Sequence, residues 1–179
     1  MPLPPNVVLP EGKPYHEWVR GKLYPKVSPS TAHGRLQVKI AALLLAWGEE
    51  RGVVATELDM DVTPAPGDTR RYLPDVEFTS FEALTAAGQR KRQIPEISPE
   101  LGIEILSPRD DRAYLADKVA AYLAAGSSVI IVVDPTLRTF AVHRANGSVE
   151  TLRRGDIFTD EVFPGLRLEI TSIFAILDR

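Results

Sequence analysis

The sequence predicts an α/β fold: a mixed central β-sheet flanked by α-helices, with an added β-hairpin. Three observations predict it. Two stretches carry apolar residues at helical spacing, several short runs read as strands, and the two kinds of segment interleave along the chain.

Residues 1–14 are proline-rich and aperiodic, which predicts an irregular arm ahead of one domain over 15–179. Gly21 to Val27 reads as a short strand. From Thr31, the residues Leu36, Ile40, Leu43, Leu44 and Trp47 fall on one helical face, with Ser30 or Thr31 as N-cap and Gly52 as the stop. Val53 to Val62 alternates, with Met60 and Val62 on one side and Asp59 and Asp61 on the other, as in a half-buried strand. Thr63 to Gly67 turns the chain, and Tyr72 to Thr79 is the next strand. The polar, basic run from Ala86 to Pro99 predicts an exposed loop.

Leu101 to Leu106 is a third strand, closed by Ser107 and Pro108. Asp110 and Asp111 open a helix that runs to about Ala125 and stops at Gly126. Val129 to Val133 is continuously apolar, the mark of a strand covered on both faces. Thr139–Arg144 and Ser148–Leu152, joined through Asn146 and Gly147, form the hairpin. Phe163 to Leu168 gives a short strand and a docked tail.

Composition narrows the chemistry. The chain has 179 residues, 44% apolar and 25% charged, as expected of a folded domain. It contains no cysteine, which excludes disulfides, zinc-thiolate sites and thiol nucleophiles and suits a reducing cytoplasm. Three dispersed histidines argue against a histidine-rich zinc site, so any metal is expected to be a hard cation on carboxylates. There is no nucleophile-elbow motif for a serine hydrolase. No secretory leader or membrane span is expected. The net charge of −3 does not suggest a dedicated nucleic-acid binder. The short basic clusters at Arg70-Arg71, Arg90 to Arg92 and Arg153-Arg154 read as solvated surface charge.

Acids placed where strands should be apolar carry the functional signal. Glu104 lies mid-strand in Leu101-Gly-Ile-Glu-Ile-Leu106, where a carboxylate is costly unless paired or bound to a metal. Gly102 beside it leaves room for a close approach. Asp75 follows Pro74 at the start of a strand, and two carboxylates on adjacent strands could share one Mg²⁺ ion. Lys118 falls inside the apolar arc formed by Leu115, Val119, Tyr122 and Leu123, so it needs an anionic partner. Each of these also has a bland reading: Glu104 and Lys118 as a structural ion pair, and Asp75 as a strand start.

Taken together with Glu17-Trp-Val-Arg-Gly21, Ser28 to His33, Leu73-Pro-Asp75, Leu101 to Pro108, Lys118 with Tyr122 and Gly126, Val133-Asp-Pro135 and Phe163-Pro-Gly165, the chain resembles the Uma family of restriction-endonuclease-like proteins, bacterial members of the PD-(D/E)xK superfamily. The resemblance covers roughly residues 15 to 174. It implies a restriction-endonuclease-like core and a Mg²⁺- or Mn²⁺-dependent endonuclease acting on nucleic acid, with DNA the expected substrate. It also implies a homodimer. Asp75 corresponds to the aspartate of the PD element and Glu104 to the acid of the (D/E)xK element. Leu106 stands where the superfamily has lysine, and within the family Lys118 on the following helix is the expected substitute. Asp75, Glu104 and the Ile105 carbonyl are the implied metal ligands, and His33 and Glu17 match further polar positions. Loss of one such residue is expected to remove most of the activity and little of the fold. The alternative is a non-catalytic binding or assembly module that keeps the fold around a vestigial site, a reading favoured by Leu106 and the acidic net charge.

Overall fold

The structure, a computed structural model, describes residues 12, 14–26, 29–92 and 95–178. Most of the expected N-terminal arm lies outside these residues.

The chain begins with a hairpin, β1 (His16–Val19) and β2 (Lys22–Pro25), of which only the second strand is evident from sequence. Helix α1 (Thr31–Gly48) follows, with the Ser30 hydroxyl accepting from the His33 amide at its N-terminus. Its face of Leu36, Ile40 and Leu44 is fully buried, worth roughly 1.5–3 kcal/mol per side chain. The helix ends at Gly48 rather than running to Gly52. Gly52 instead starts β3 (Gly52–Ala55).

The alternating run 53–62 is two strands rather than one. β3 pairs with β6, whereas β4 (Met60–Ala65) pairs with β5 (Asp68–Tyr72) in a different sheet. Between them Glu57 takes a left-handed backbone, φ +53°. The stretch 72–79 divides in the same way: β5 ends at Tyr72, Leu73-Pro-Asp75 links, and β6 (Val76–Ser80) begins. A short helix α2 (Phe81–Ala86), capped by Ser80, precedes the loop.

β7 (Leu101–Ile105), α3 (Arg112–Ala124) and β8 (Val129–Asp134) form a parallel crossover unit. Asp111 caps α3 by accepting from the Ala113 and Tyr114 amides, and Gly126 leaves it at φ +106°. β9 (Thr139–Arg144) and β10 (Val149–Leu152) are the hairpin expected from Asn146-Gly147. β11 (Ile157–Phe158) pairs with β12 (Leu168–Glu169), and α4 (Ile170–Phe174) docks the C-terminal segment.

The large sheet runs β10-β9-β8-β7-β6-β3 and is mixed, with only β7 and β8 parallel; a second sheet runs β2-β1-β5-β4. On one face of the large sheet α1 and α4 cover Val76, Phe78, Leu101, Ile103, Ile105, Ile131 and Val133. On the other, α3 and the second sheet enclose Val62, Tyr72, Val119, Tyr122 and Ile130. Among the described residues no helix is long and apolar enough to cross a membrane.

Two expectations change on inspection. Arg70 is not surface charge: it is 3% exposed and donates to Asp68, Asp117 and the Tyr72 hydroxyl. Arg90 to Arg92 and Arg153-Arg154 are exposed as expected. The space left by Gly102 is taken by Ile130, since a Cβ there would lie 2.8 Å from its Cδ1.

Candidate active site

Strand pairing brings the acids together. Val76 lies opposite Ile103 in the β6–β7 ladder, so Asp75, one residue before β6, reaches the level of Glu104 and Ile105. The Asp75 Oδ2 accepts the Ile105 amide at 2.7 Å and His33 Nε2 at 3.1 Å. α3 returns over the sheet immediately after β7 and delivers Lys118, whose Nζ lies 2.7 Å from Glu104 Oε1 and 2.6 Å from Glu17 Oε1. Glu17, on β1, also accepts the Leu73 amide and the Tyr114 hydroxyl. Glu17, His33, Asp75, Glu104, Ile105 and Lys118 all line one cavity of about 210 Å³.

His33 and Glu17, the further polar positions of the family resemblance, are therefore part of the same arrangement. Glu17 is 3% exposed and so is not a surface charge. His33 does open α1, but its ring reaches Asp75, and with Nε2 donating there its buried Nδ1 has no partner among the described residues. Leu106, at the position where the superfamily pattern has lysine, is buried on the cavity wall.

One residue was not anticipated. Lys26, just past β2, places its Nζ 2.8 Å from Asp75 Oδ1 and 2.8 Å from the Leu73 carbonyl. Gln37 on α1 donates to the Asp75 carbonyl. At the cavity edge Tyr24 and Tyr114 stack with ring centroids 4.7 Å apart.

The charges respond to one another. Burial pushes Glu104 up to about 7; Lys118 opposes that rise and Asp75 adds to it. Burial would also raise Asp75, but Lys26 and His33 hold it well below the usual carboxylate range. Burial works against the charge on Lys118, yet Glu104, Glu17 and Asp75 outweigh it and the ammonium stays protonated beyond the ordinary lysine range. Lys26 is shifted upward in the same way, with Asp75 overcoming burial.

The residues present fit a hard divalent cation. Two carboxylates and a strand carbonyl candidate line the cavity together. Among the described residues no group of three or more His, Cys, Asp or Glu side chains forms a ready metal cage. Asp75 and Glu104 are the hard oxygen donors that a Mg²⁺ ion, commonly held by one or two carboxylates with several waters, would take.

Comparison with known proteins gives the relationship. A family model for Uma2, described as "Putative restriction endonuclease", matches residues 7–171. Among solved structures, a "putative nuclease belonging to DUF820" from Anabaena variabilis superposes with a TM-score of 0.83 at 23% identity, covering 94% of each chain. At that identity the likeness is one of fold. No curated protein is similar enough to match. Since the family model spans nearly all of the sequence, from the hairpin that carries Glu17 to α4, the chain belongs to the Uma2 family.

Proposed function

We propose that this protein is a Mg²⁺-dependent endonuclease that hydrolyses phosphodiester bonds in nucleic acid, with DNA as the substrate. The observation that carries the reading is the convergence of Asp75, Glu104 and Lys118 on one cavity wall. Asp75, Glu104 and the Ile105 carbonyl are the groups that would hold the ion, which supplies Lewis acidity and a more acidic bound water. Lys118 remains an ammonium among three carboxylates, so it acts as a fixed cation facing developing phosphate charge rather than as a proton acceptor. Glu17 positions that ammonium from the opposite side to Glu104, and His33 and the Ile105 amide fix the rotamer of Asp75. The absence of cysteine supports a cytoplasmic setting.

A second reading, a non-catalytic module with a vestigial site, is favoured by one observation. Three protein donors already occupy the Asp75 carboxylate, which has about four acceptor positions. Calorimetry with Mn²⁺ or Mg²⁺ and cleavage assays on plasmid and single-stranded DNA separate the two. Wild-type protein should bind the ion and cut DNA, and Asp75→Asn should do neither. Equal cleavage by both would assign the activity to a contaminant, and a folded wild type that binds no ion would favour the module.

A further inference from the structure

We propose that Lys26 is a tethered cation that occupies the metal-facing side of Asp75 and must leave it when a divalent ion binds, so that Lys26 sets the metal affinity of the site. The inference rests on the metal-dependent reading above and deepens it.

The geometry is asymmetric. Oδ2 of Asp75 is held by the backbone amide of Ile105 and by His33, both anchored on regular elements. Among the described residues Oδ1 is held only by the Lys26 ammonium, at 2.8 Å, from a side chain that is 16% exposed. Of the donors on this carboxylate, Lys26 alone is a flexible amine carrying a full charge, so it is the one an arriving cation can displace.

Charge balance makes the displacement necessary. Three carboxylates, Glu17, Asp75 and Glu104, face two ammonium groups, Lys26 and Lys118, along one cavity. A divalent ion on Asp75 and Glu104 would stand beside both amines, and like charges at that range in a buried site repel strongly. Lys118 is fixed between Glu17 and Glu104 and buried on α3, whereas the Lys26 side chain is the more exposed of the two, 16% against 4%. Removing the Lys26 charge should therefore strengthen metal binding, the opposite of what loss of a ligand does.

The test is Mn²⁺ calorimetry on the full chain, with circular dichroism to verify folding. Lys26→Met and Lys26→Gln should each bind Mn²⁺ at least about tenfold more tightly than wild type, a difference of about 1.4 kcal/mol. Lys26→Arg, which keeps the charge, should stay near wild type. Lys22→Met, on the exposed face of the same hairpin, should also stay near wild type. Tight binding by the two neutral variants with none detectable in wild type is the extreme form of the expected result. If wild type binds Mn²⁺ and the neutral Lys26 variants bind no more tightly, this inference fails while the metal-dependent reading stands. Equal tightening by Lys22→Met would also overturn it, since net charge alone would then account for the gain. If folded wild type and both neutral variants all fail to bind, both readings fall.

Discussion

Replacing Lys118 with methionine should destabilise the fold by about 3–5 kcal/mol at pH 8 in the presence of a chelator. Loss of a single site residue would be expected to leave the fold largely intact, but the burial of Lys118 makes it a structural hub as well. Its ammonium is 3% exposed and joins Glu104 to Glu17, with bonds of 2.7 and 2.6 Å. Methionine fills similar space and leaves two buried acids without their cation. Among the described residues Glu104 would then keep only the Tyr122 hydroxyl, at 3.4 Å. The penalty is a large part of the ~5–15 kcal/mol that typically holds a domain together.

The pH dependence has a definite sign. Lys118 has a folded value above its ordinary 10.5, so its own contribution is complete below that pH and does not vary between 5 and 8. Glu104 is raised from 4.5 to about 7 even with Lys118 present, and removing the ammonium raises it further. A raised carboxyl lets the folded chain hold a proton that the unfolded chain releases, so the variant loses stability as pH rises from about 4.5 through the higher folded value. The deficit should be small near pH 5 and largest at pH 8. Urea unfolding followed by circular dichroism reads it, with an unchanged m-value as the check on two-state behaviour. Glu104→Gln in the Lys118→Met background should recover part of the loss, because the amide needs no counter-ion. A Lys118→Met protein within about 1 kcal/mol of wild type at pH 8, or a double variant no better than the single, would refute the reasoning.

Three further predictions concern stability. Glu77 is fully buried, has the Thr79 hydroxyl on Oε2 and no partner on Oε1 among the described residues, and burial pushes it from 4.5 to about 8. Glu77 should therefore cost the folded state stability as pH rises across that window, up to about 5 kcal/mol, and Glu77→Gln should remove that share of the slope, leaving the share due to Glu104, in chelator-treated urea titrations at pH 5 and 8.5. Gly52→Ala would place a Cβ 2.3 Å from the Thr79 carbonyl and 2.8 Å from Ser80 Cα, so β3 must shift and the melting temperature should drop for a loss of roughly 3 kcal/mol. Gly147→Ala, at φ +84° with nothing within 4 Å, should cost only the conformational strain, about 1 kcal/mol.

The helices were legible because packing against a sheet imposes a period that survives in sequence: Leu36, Ile40 and Leu44 on α1, and the arc around Lys118 on α3. Apart from β1 and the two-residue β11, the strands were legible as strands but not as members of a sheet. Residues 53–62 read as one alternating strand, yet they divide between β3 and β4, which belong to different sheets. Alternation records that one side is covered and not by what. The break falls at Glu57, whose positive φ is not announced by a glycine. The helix α2 spans only six residues, too few to display a period.

The site was legible wherever a charge interrupts a pattern. Glu104 breaks an apolar strand and Lys118 an apolar arc, and each interruption marks a side chain that needs a partner. Lys26 gives no such mark: β2 is largely exposed, and a lysine after it looks ordinary until Asp75 is placed beside it by the fold. Burial of charge alone is not the sign of a site, since Arg70 is equally buried with Asp68, Asp117 and Tyr72. The difference lies in what the charges face. Arg70 is saturated by its carboxylates, whereas Glu104 remains pushed up to about 7 and, with Asp75, lines an open cavity at one end of a sheet face whose neighbouring positions are filled by Val119, Tyr122 and Ile130. Apolar side chains would have packed that end with less desolvation, as they do next door. A cluster of three acids and two amines set against volume that remains open is therefore better explained by what enters the cavity than by what holds the fold.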